Sequence, residues 1–217
     1  MISGKQLSLT LCLLLAMPSV PAAESGHGDA ARAMALVRAL ARPAPARTAY
    51  TEVRFVGMLD RALVLRGEMA WLGGSRLQRS VVTPYPEVTT IDGDTATLQR
   101  GRHAPQKFSL QRAPELKDLL GSFVALLSGD APALARNFTL QAYGNQAAWT
   151  LDLTPRDAAV AQRIREVSVD GSGKTLRCMR VDETDGDTTF TLLGPLGSAR
   201  LPSTPTPAGL ATLCAGM

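Results

Sequence analysis

Short segments in which apolar and polar residues alternate, separated by glycine-containing turns, make up most of this chain. In one such segment Val53 and Phe55 alternate with Glu52 and Arg54. Because successive side chains of a β-strand point to opposite faces of a sheet, a period of two predicts half-buried strands. Asp-Gly and Gly-Gly pairs in the turns favour tight connections between antiparallel neighbours. The pattern therefore predicts about eleven strands joined mainly by hairpins.

Two segments depart from this alternation and have the period of a helix. Residues 29–41 carry an amphipathic pattern that ends before Pro43, and a longer apolar segment begins at Pro114 and ends at Gly129. Proline in the first turn and glycine just beyond the end are typical of helix boundaries. The strands do not alternate regularly with helices, as they would in a parallel sheet. We therefore predict an α+β fold in which one large, strongly curved antiparallel sheet has helices against one face.

The N-terminus has the features of a removable secretory signal over residues 1–22. Lys5 supplies the charged start, residues 7–17 the apolar run, and Ala22 the end of a small-residue cleavage site. The apolar run is about half as long as a membrane-spanning helix, so it is too short to remain as an anchor. Cys12 raises the alternative of lipid attachment, which is disfavoured because Leu11 is not small and the apolar run continues past it. We predict export from the cytoplasm.

Removal of this signal leaves two cysteines, Cys178 and Cys214. An even number of cysteines in an oxidising compartment predicts a disulfide, with two separate thiols as the alternative. We expect one domain over residues 29–193, followed by a proline-rich tail over residues 194–217. The prolines disfavour a regular helix or a central strand through most of this tail. The predicted disulfide would fix the tail to the domain.

Motifs that would support catalysis are hard to find. His27 and His103 do not have a metal-ligand spacing, and the chain lacks a nucleophile elbow and a phosphate-binding loop. Asp92 and Asp94 flank a glycine and are explained by turn chemistry, as is the acidic cluster over residues 182–187. Acid–base or calcium chemistry is the alternative for both clusters. The basic segment 100–107 is interpreted as a solvated hairpin loop, with an anionic lipid surface or an acidic partner as the alternative. A net charge of +4 is too small and dispersed for a nucleic-acid binder. We expect no catalytic residues, metal, cofactor or nucleic-acid partner.

Several short motifs follow one another in a characteristic order. They are Gly67-Glu68-Met69-Ala70-Trp71, Leu77-Gln78-Arg79-Ser80, Thr83-Pro84, Thr90-Ile91-Asp92-Gly93-Asp94-Thr95, Trp149 to Pro155, Gly173 to Arg180 and Asp185-Gly186-Asp187-Thr188. Together they resemble the periplasmic lipoprotein carrier LolA and its relatives. The resemblance implies an incomplete β-barrel of about eleven strands with a helical lid, as in LolA and LolB. It also implies a monomeric, non-enzymatic carrier in the periplasm of a Gram-negative bacterium. Its partners would be the acyl chains of a lipoprotein or lipid, an inner-membrane donor and an outer-membrane acceptor.

Apolar residues on the strands and on the second helix are the candidates for the cavity lining. Burying one methylene contributes roughly 0.8 kcal/mol, so an acyl chain can be bound without a catalytic group. For each residue, an ordinary place in the core is the alternative. The candidates are Val53, Phe55, Met69, Trp71, Leu77, Val81, Leu98, Phe108, Leu119, Phe123 and Leu127.

One feature of the family has no counterpart in this sequence. Its lipoprotein carriers place an arginine before a proline on the second long strand, where it hydrogen-bonds the lid. Gly73-Gly74 occupies that position, and Arg76 or Arg79 is the nearest substitute. This difference indicates a divergent branch of the family. The resemblance implies that some divergent branches serve the export of other lipids, such as aryl-polyene pigments. The alternatives to a carrier are an accessory interaction module with a filled core, for example in such export, and an enzyme that uses a carboxylate at the cavity mouth.

Overall fold

The computed structural model of the protein describes residues 29–112 and 114–216, without the side chains of residues 114–116, 118 and 119. The predicted signal, residues 1–22, lies outside the described residues. Within them, the strands are β1 (Ala46–Phe55), β2 (Leu63–Gly73), β3 (Arg76–Thr83), β4 (Glu87–Asp92), β5 (Thr95–Arg100), β6 (Gln106–Ser109), β7 (Phe138–Gly144), β8 (Trp149–Pro155), β9 (Ile164–Ser172), β10 (Thr175–Glu183) and β11 (Thr188–Leu193).

These strands form one antiparallel sheet in the order β6-β5-β4-β3-β2-β1-β11-β10-β9-β8-β7. Strands β6 and β7 are its two edges, so the barrel is not closed. Each half of the chain forms a meander of hairpins, and the halves meet where β1 pairs with β11. The predicted α+β fold, an incomplete antiparallel barrel of about eleven strands with helices, is confirmed.

The helices include two that the sequence pattern indicates and three shorter ones that it does not. They are α1 (Ala30–Ala39), α2 (Pro114–Ser128), α3 (Ala131–Asn137), α4 (Ala158–Ala161) and α5 (Pro207–Ala215). The Asp29 side chain caps α1 by accepting a hydrogen bond from the Arg32 amide at 2.9 Å. Helices α2 and α3 connect β6 to β7 and therefore lead from one edge of the sheet to the other.

Helices α1, α2 and α3 pack on one face of the sheet, which we call the inner face. In β7 and β8 the buried residues alternate with more exposed ones, as the period of two requires. The inner-face residues of the second half form the main core with these helices. Its fully or nearly fully buried members include Val37, Leu134, Leu140, Leu151, Val167 and Val169.

Trp149 anchors this core at the turn end of β8. The indole Nε1 donates a hydrogen bond to the Gly173 carbonyl at 2.9 Å. Gly171 lies opposite Trp149 in the register of β8 and β9. A Cβ atom at position 171 would collide with the indole ring and would lie 2.5 Å from the Thr175 carbonyl oxygen. The ring can therefore cover β9 only because residue 171 is a glycine.

The opposite, outer face of the sheet carries a smaller core beneath α5. Leu210 and Cys214 of α5 pack against Val53, Phe190 and other buried residues of the central strands. A disulfide joins Cys178 of β10 to Cys214 of α5. The prolines of the tail do not prevent this last helix, because Pro207 lies in its first turn, where a backbone N–H donor is not needed.

Candidate ligand cavity and polar strip

A cavity of about 300 Å³ lies between α2 and the end of the sheet that carries the β2–β3 and β4–β5 turns. Leu77 and Ile91 line it from the inner face of the sheet, and Leu120 and Val124 line it from α2. Ligand pockets usually measure about 300 to 1,000 Å³ and are mostly apolar, so this cavity is at the small end of that range. The arrangement suits an apolar chain.

The α2 residues of the cavity wall share one face of the helix. Lys117, Leu120, Gly121 and Val124 recur at spacings of three or four residues, which brings side chains to the same side of a helix. Gly121 has open space at this wall, because a Cβ atom built on it would meet no atom within 4 Å. Gly121 is exposed at this wall, so a larger side chain at this position would meet no clash.

An ion pair joins α2 to the β4–β5 turn at one end of the cavity. The Lys117 ammonium nitrogen lies 2.7 Å from Asp94 Oδ1, and the Gln111 amide donates to Asp94 Oδ2 at 3.2 Å. These hydrogen bonds, with that of Lys117 first, lower the pKa of Asp94 below its ordinary value. Lys117 and Asp94 both line the cavity, so this polar contact closes its turn end.

Five of the predicted lining residues lie on the inner face close to the cavity. Trp71 and Leu77 are paired in the register of β2 and β3, and Leu77 is paired with Ile91. Ile91 is paired with Ala96, and Ala96 is paired with Phe108 of the edge strand β6, so these residues form one row across the strands. Phe108 is 50% exposed. Met69 and Leu98 lie in the neighbouring row of paired residues, which also contains Arg79. Among the predicted residues whose side chains the structure describes, Leu77 is the one that lines the cavity itself.

The other predicted lining residues are distributed over the inner face, α2 and the outer face. Val81 is buried on the inner face, one row beyond Arg79. Phe123 and Leu127 lie on a part of α2 adjacent to the face that lines the cavity. The side chain of Leu119 is outside the described residues.

Val53 and Phe55 lie on the outer face, separated from the cavity by the sheet itself. Val53 is buried in the core beneath α5, and the Phe55 ring packs edge to face on Phe190 at 6.1 Å between centroids. They therefore lie on the face of the sheet opposite the other predicted strand residues. The reason is that Glu52 and Arg54, which alternate with them, occupy the inner face.

Charged residues on the inner face form what we call the polar strip, namely Glu52, Arg54, Arg79, Glu87 and Arg100. The Arg79 guanidinium donates to both carboxylate oxygens of Glu52 at 3.2 Å. Arg54 also pairs with Glu52, and Arg100 pairs with Glu87 at 2.9 Å. Glu52 is only 5% exposed, so this carboxylate is held inside the protein by its two arginines.

Tyr50 lies beside the polar strip and is 1% exposed. Its ring is 5.4 Å from the Arg79 guanidinium carbon, which is cation–π geometry. Its buried hydroxyl has no hydrogen-bond partner within the part of the chain that the structure describes. Burial is the main cause of a raised pKa for this phenol. Tyr50 is therefore a neutral, unused donor next to the strip.

Arg76 and Arg79, the nearest substitutes for the family's lid-binding arginine, make other contacts. Arg76 donates to the Leu72 carbonyl of its own hairpin at 3.4 Å. Arg79 is engaged by Glu52 and Glu87. A contact between the sheet and α2 is made instead by Asp94 and Lys117. The sequence pattern around Asp94 indicated turn chemistry, and it gave no signal for Lys117.

Among the described residues, no cluster of histidine, cysteine or carboxylate side chains could hold a metal ion. None of the helices in residues 29–112 and 114–216 is both long and apolar enough to cross a bilayer.

The structure defines a class of protein, an unclosed antiparallel β-barrel with a helical connector over an apolar cavity. The chain belongs to the family described as outer membrane lipoprotein carrier protein LolA-like, whose model matches residues 25–217. This family is generally a non-enzymatic carrier fold for lipoproteins and lipids, and its members are periplasmic or related to the outer membrane.

Two solved structures are among those similar to this chain. A LolA superfamily protein from Nitrosomonas europaea is 10% identical, with a TM-score of 0.43, and the match covers 80% of this chain and 94% of that one. LprF from Mycobacterium bovis is 11% identical, with a TM-score of 0.39, and the match covers 84% of this chain and 99% of that one. No curated protein matches the sequence.

Proposed function

We propose that this protein is a periplasmic carrier that holds an acyl chain of a lipoprotein or lipid in the cavity beneath α2 and transfers it toward the outer membrane. The observation that supports this most directly is the apolar cavity between Leu77 and Ile91 of the sheet and Leu120 and Val124 of the lid helix. Each buried methylene contributes roughly 0.8 kcal/mol, so burial alone can drive binding. The small volume favours one chain over several.

The proposed contact residues combine the cavity wall with the inner-face row beside it. Trp71, Met69, Val81, Leu98 and Phe108 extend the apolar surface away from Leu77. Phe123 and Leu127, together with Leu119, would join them if α2 rotates or lifts when cargo enters.

Export by a signal over residues 1–22 and action as a monomer complete the proposal. Family membership supports a place in the periplasm or near the outer membrane. An inner-membrane donor and an outer-membrane acceptor are the partners that such a transfer requires.

Gly121 offers a direct test of cargo binding, because its position faces the cavity without a contact. We expect Gly121→Phe to fill the cavity and to weaken binding of the fluorescent fatty acid cis-parinaric acid about tenfold, or ~1.4 kcal/mol. Gly121→Ala is the matched control: it should leave binding unchanged while stabilising α2 by up to about 1 kcal/mol. Fluorescence titration and thermal melting measure the two effects.

Two results would contradict the carrier proposal. One is wild-type protein that takes up no fatty acid and carries no lipid in native mass spectrometry after purification from the periplasm. The other is Gly121→Phe protein that binds the probe as tightly as the wild type.

A further inference from the structure

The polar strip begins one cross-strand row away from the cavity. Arg79 and Leu77 are two residues apart on β3, so their side chains share the inner face. Two residues along a strand span about 7 Å. An elongated molecule lying along β3 would thus pass from an apolar environment to a charged one within a short distance. This is the polarity profile of an amphiphile.

The strip carries an excess of positive charge. Its three arginines face two glutamates within the strip, and Glu183 of β10 interacts electrostatically with Arg54 from outside it, so Arg100 is the cation in excess. Arg79 is 23% exposed and lies in the middle, whereas the side chains of Arg54 and Arg100 are 45% and 69% exposed. The guanidinium groups of these outer arginines remain accessible to a third anion. Arginine is well suited to carboxylate or phosphate because it can donate two parallel hydrogen bonds.

Stability alone is a poor explanation for these charges. A buried ion pair contributes little or nothing compared with well-packed apolar side chains, because its desolvation is costly. Glu52 nevertheless stands on the inner face between Thr191 and Leu65, at 5% exposure.

The unused hydroxyl of Tyr50 is a second, independent observation at the same place. A buried donor without an acceptor costs free energy, so such groups usually have a partner in the functional state. The Tyr50 ring lies against Arg79, which places this donor at the strip. An acidic oxygen bound by the arginines would be an acceptor of the right kind.

We propose that the polar strip binds the anionic head group, a carboxylate or phosphate, of an amphiphile whose apolar chain occupies the cavity beneath α2. This inference rests on the proposed carrier function and specifies its cargo. Arg100, at the end of the strip nearer the cavity, makes the direct contact to the head group, and Arg54, at the other end, adds longer-range attraction. Glu52 and Glu87 hold Arg79 in position and prevent the strip from attracting anions that lack an apolar chain.

The test compares the affinities of two ligands that have the same alkyl chain, dodecyl phosphate and dodecanol. Both affinities are measured by displacement of the neutral fluorescent probe N-phenyl-1-naphthylamine. We expect wild-type protein to bind the phosphate about tenfold more tightly than the alcohol, or ~1.4 kcal/mol. The double variant Arg54→Gln/Arg100→Gln should lose this preference while binding dodecanol as before. Arg156→Gln removes one charge at an exposed position outside the strip and should keep the preference.

The outcomes separate this inference from the carrier proposal. Equal affinity of wild-type protein for the two ligands, or a double variant that keeps the preference, would overturn head-group binding and leave the carrier function intact. Failure of wild-type protein to bind the probe and both ligands would overturn the carrier function itself. If the double variant does not fold, Arg100→Gln alone is used, because its side chain is 69% exposed. It should then lose part of the preference.

Discussion

Asp170 on β9 keeps a carboxyl group half-buried on the outer face of the sheet. The Thr150 hydroxyl donates to its Oδ1 at 2.6 Å. Burial nevertheless dominates and raises the pKa of Asp170 above its ordinary value. Since the folded pKa exceeds the unfolded one, folding favours the protonated form. This contribution is fully present below the unfolded pKa and is lost as the pH rises through the folded pKa.

Asp170→Asn should therefore stabilise the protein at pH 8, because the amide removes the buried charge while its oxygen still accepts the Thr150 hydrogen bond. The gain should shrink toward zero near pH 4. Urea unfolding at pH 4, 6 and 8 measures it, with Asp60→Asn in an exposed loop as the control. An Asp170→Asn variant that is less stable than wild type at pH 8 would show that the carboxylate is favourable where it lies.

At the level of elements, α2 is connected to the sheet by the ion pair of Lys117 and Asp94. We expect Asp94→Asn to weaken this contact, so that amide hydrogens of residues 114–128 exchange faster while those of β8 and β9 do not change. Hydrogen exchange with mass spectrometry at pH 7 measures the difference. Asp92→Asn, in the same turn, is the matched control.

Acid should have the same local effect as Asp94→Asn. Because hydrogen bonds lower the pKa of Asp94, the ion pair is stable above the unfolded pKa and is lost as the pH falls through the folded pKa. If Asp94→Asn left the exchange of α2 unchanged, other contacts would have to hold the lid.

Helix α5 is held on the outer face by the Cys178–Cys214 disulfide and by the burial of Leu210. The bridge spans 36 residues of sequence. A bridge of this kind typically contributes about 2 to 4 kcal/mol. We expect Cys214→Ser to lower the free energy of unfolding by this amount. Chemical denaturation with and without dithiothreitol measures it: the reductant should destabilise wild type and leave Cys214→Ser unaffected.

For the whole molecule, local pattern was sufficient to predict strands, hairpins and the two longer helices. It was not sufficient to predict which face of each strand would meet the helices. A shift of one residue exchanges the two faces, and both faces of β1 are partly covered, so Val53 and Glu52 are each buried. Alternation around Val53 therefore indicated a strand correctly, and the structure places the apolar side of this strand in the outer core beneath α5.

The polar strip and the short helices were missed for related reasons. Glu52, Arg79 and Glu87 are far apart in sequence and come together only through the registers of β1, β2, β3 and β4. Helices α3 and α4 have 7 and 4 residues, which is too short for a helical period to be recognised. In α5, the prolines at positions 205 and 207 concealed a helix that starts at the second of them.

The pairing of β1 with β11 has a consequence for how the molecule is made. The oldest and the youngest strands of the nascent chain are direct neighbours at the midline, so the two meanders stay separate until residues 188–193 have been synthesised. Such distant pairing also slows folding. The continuous sheet across this midline can therefore form only when nearly the whole chain is available.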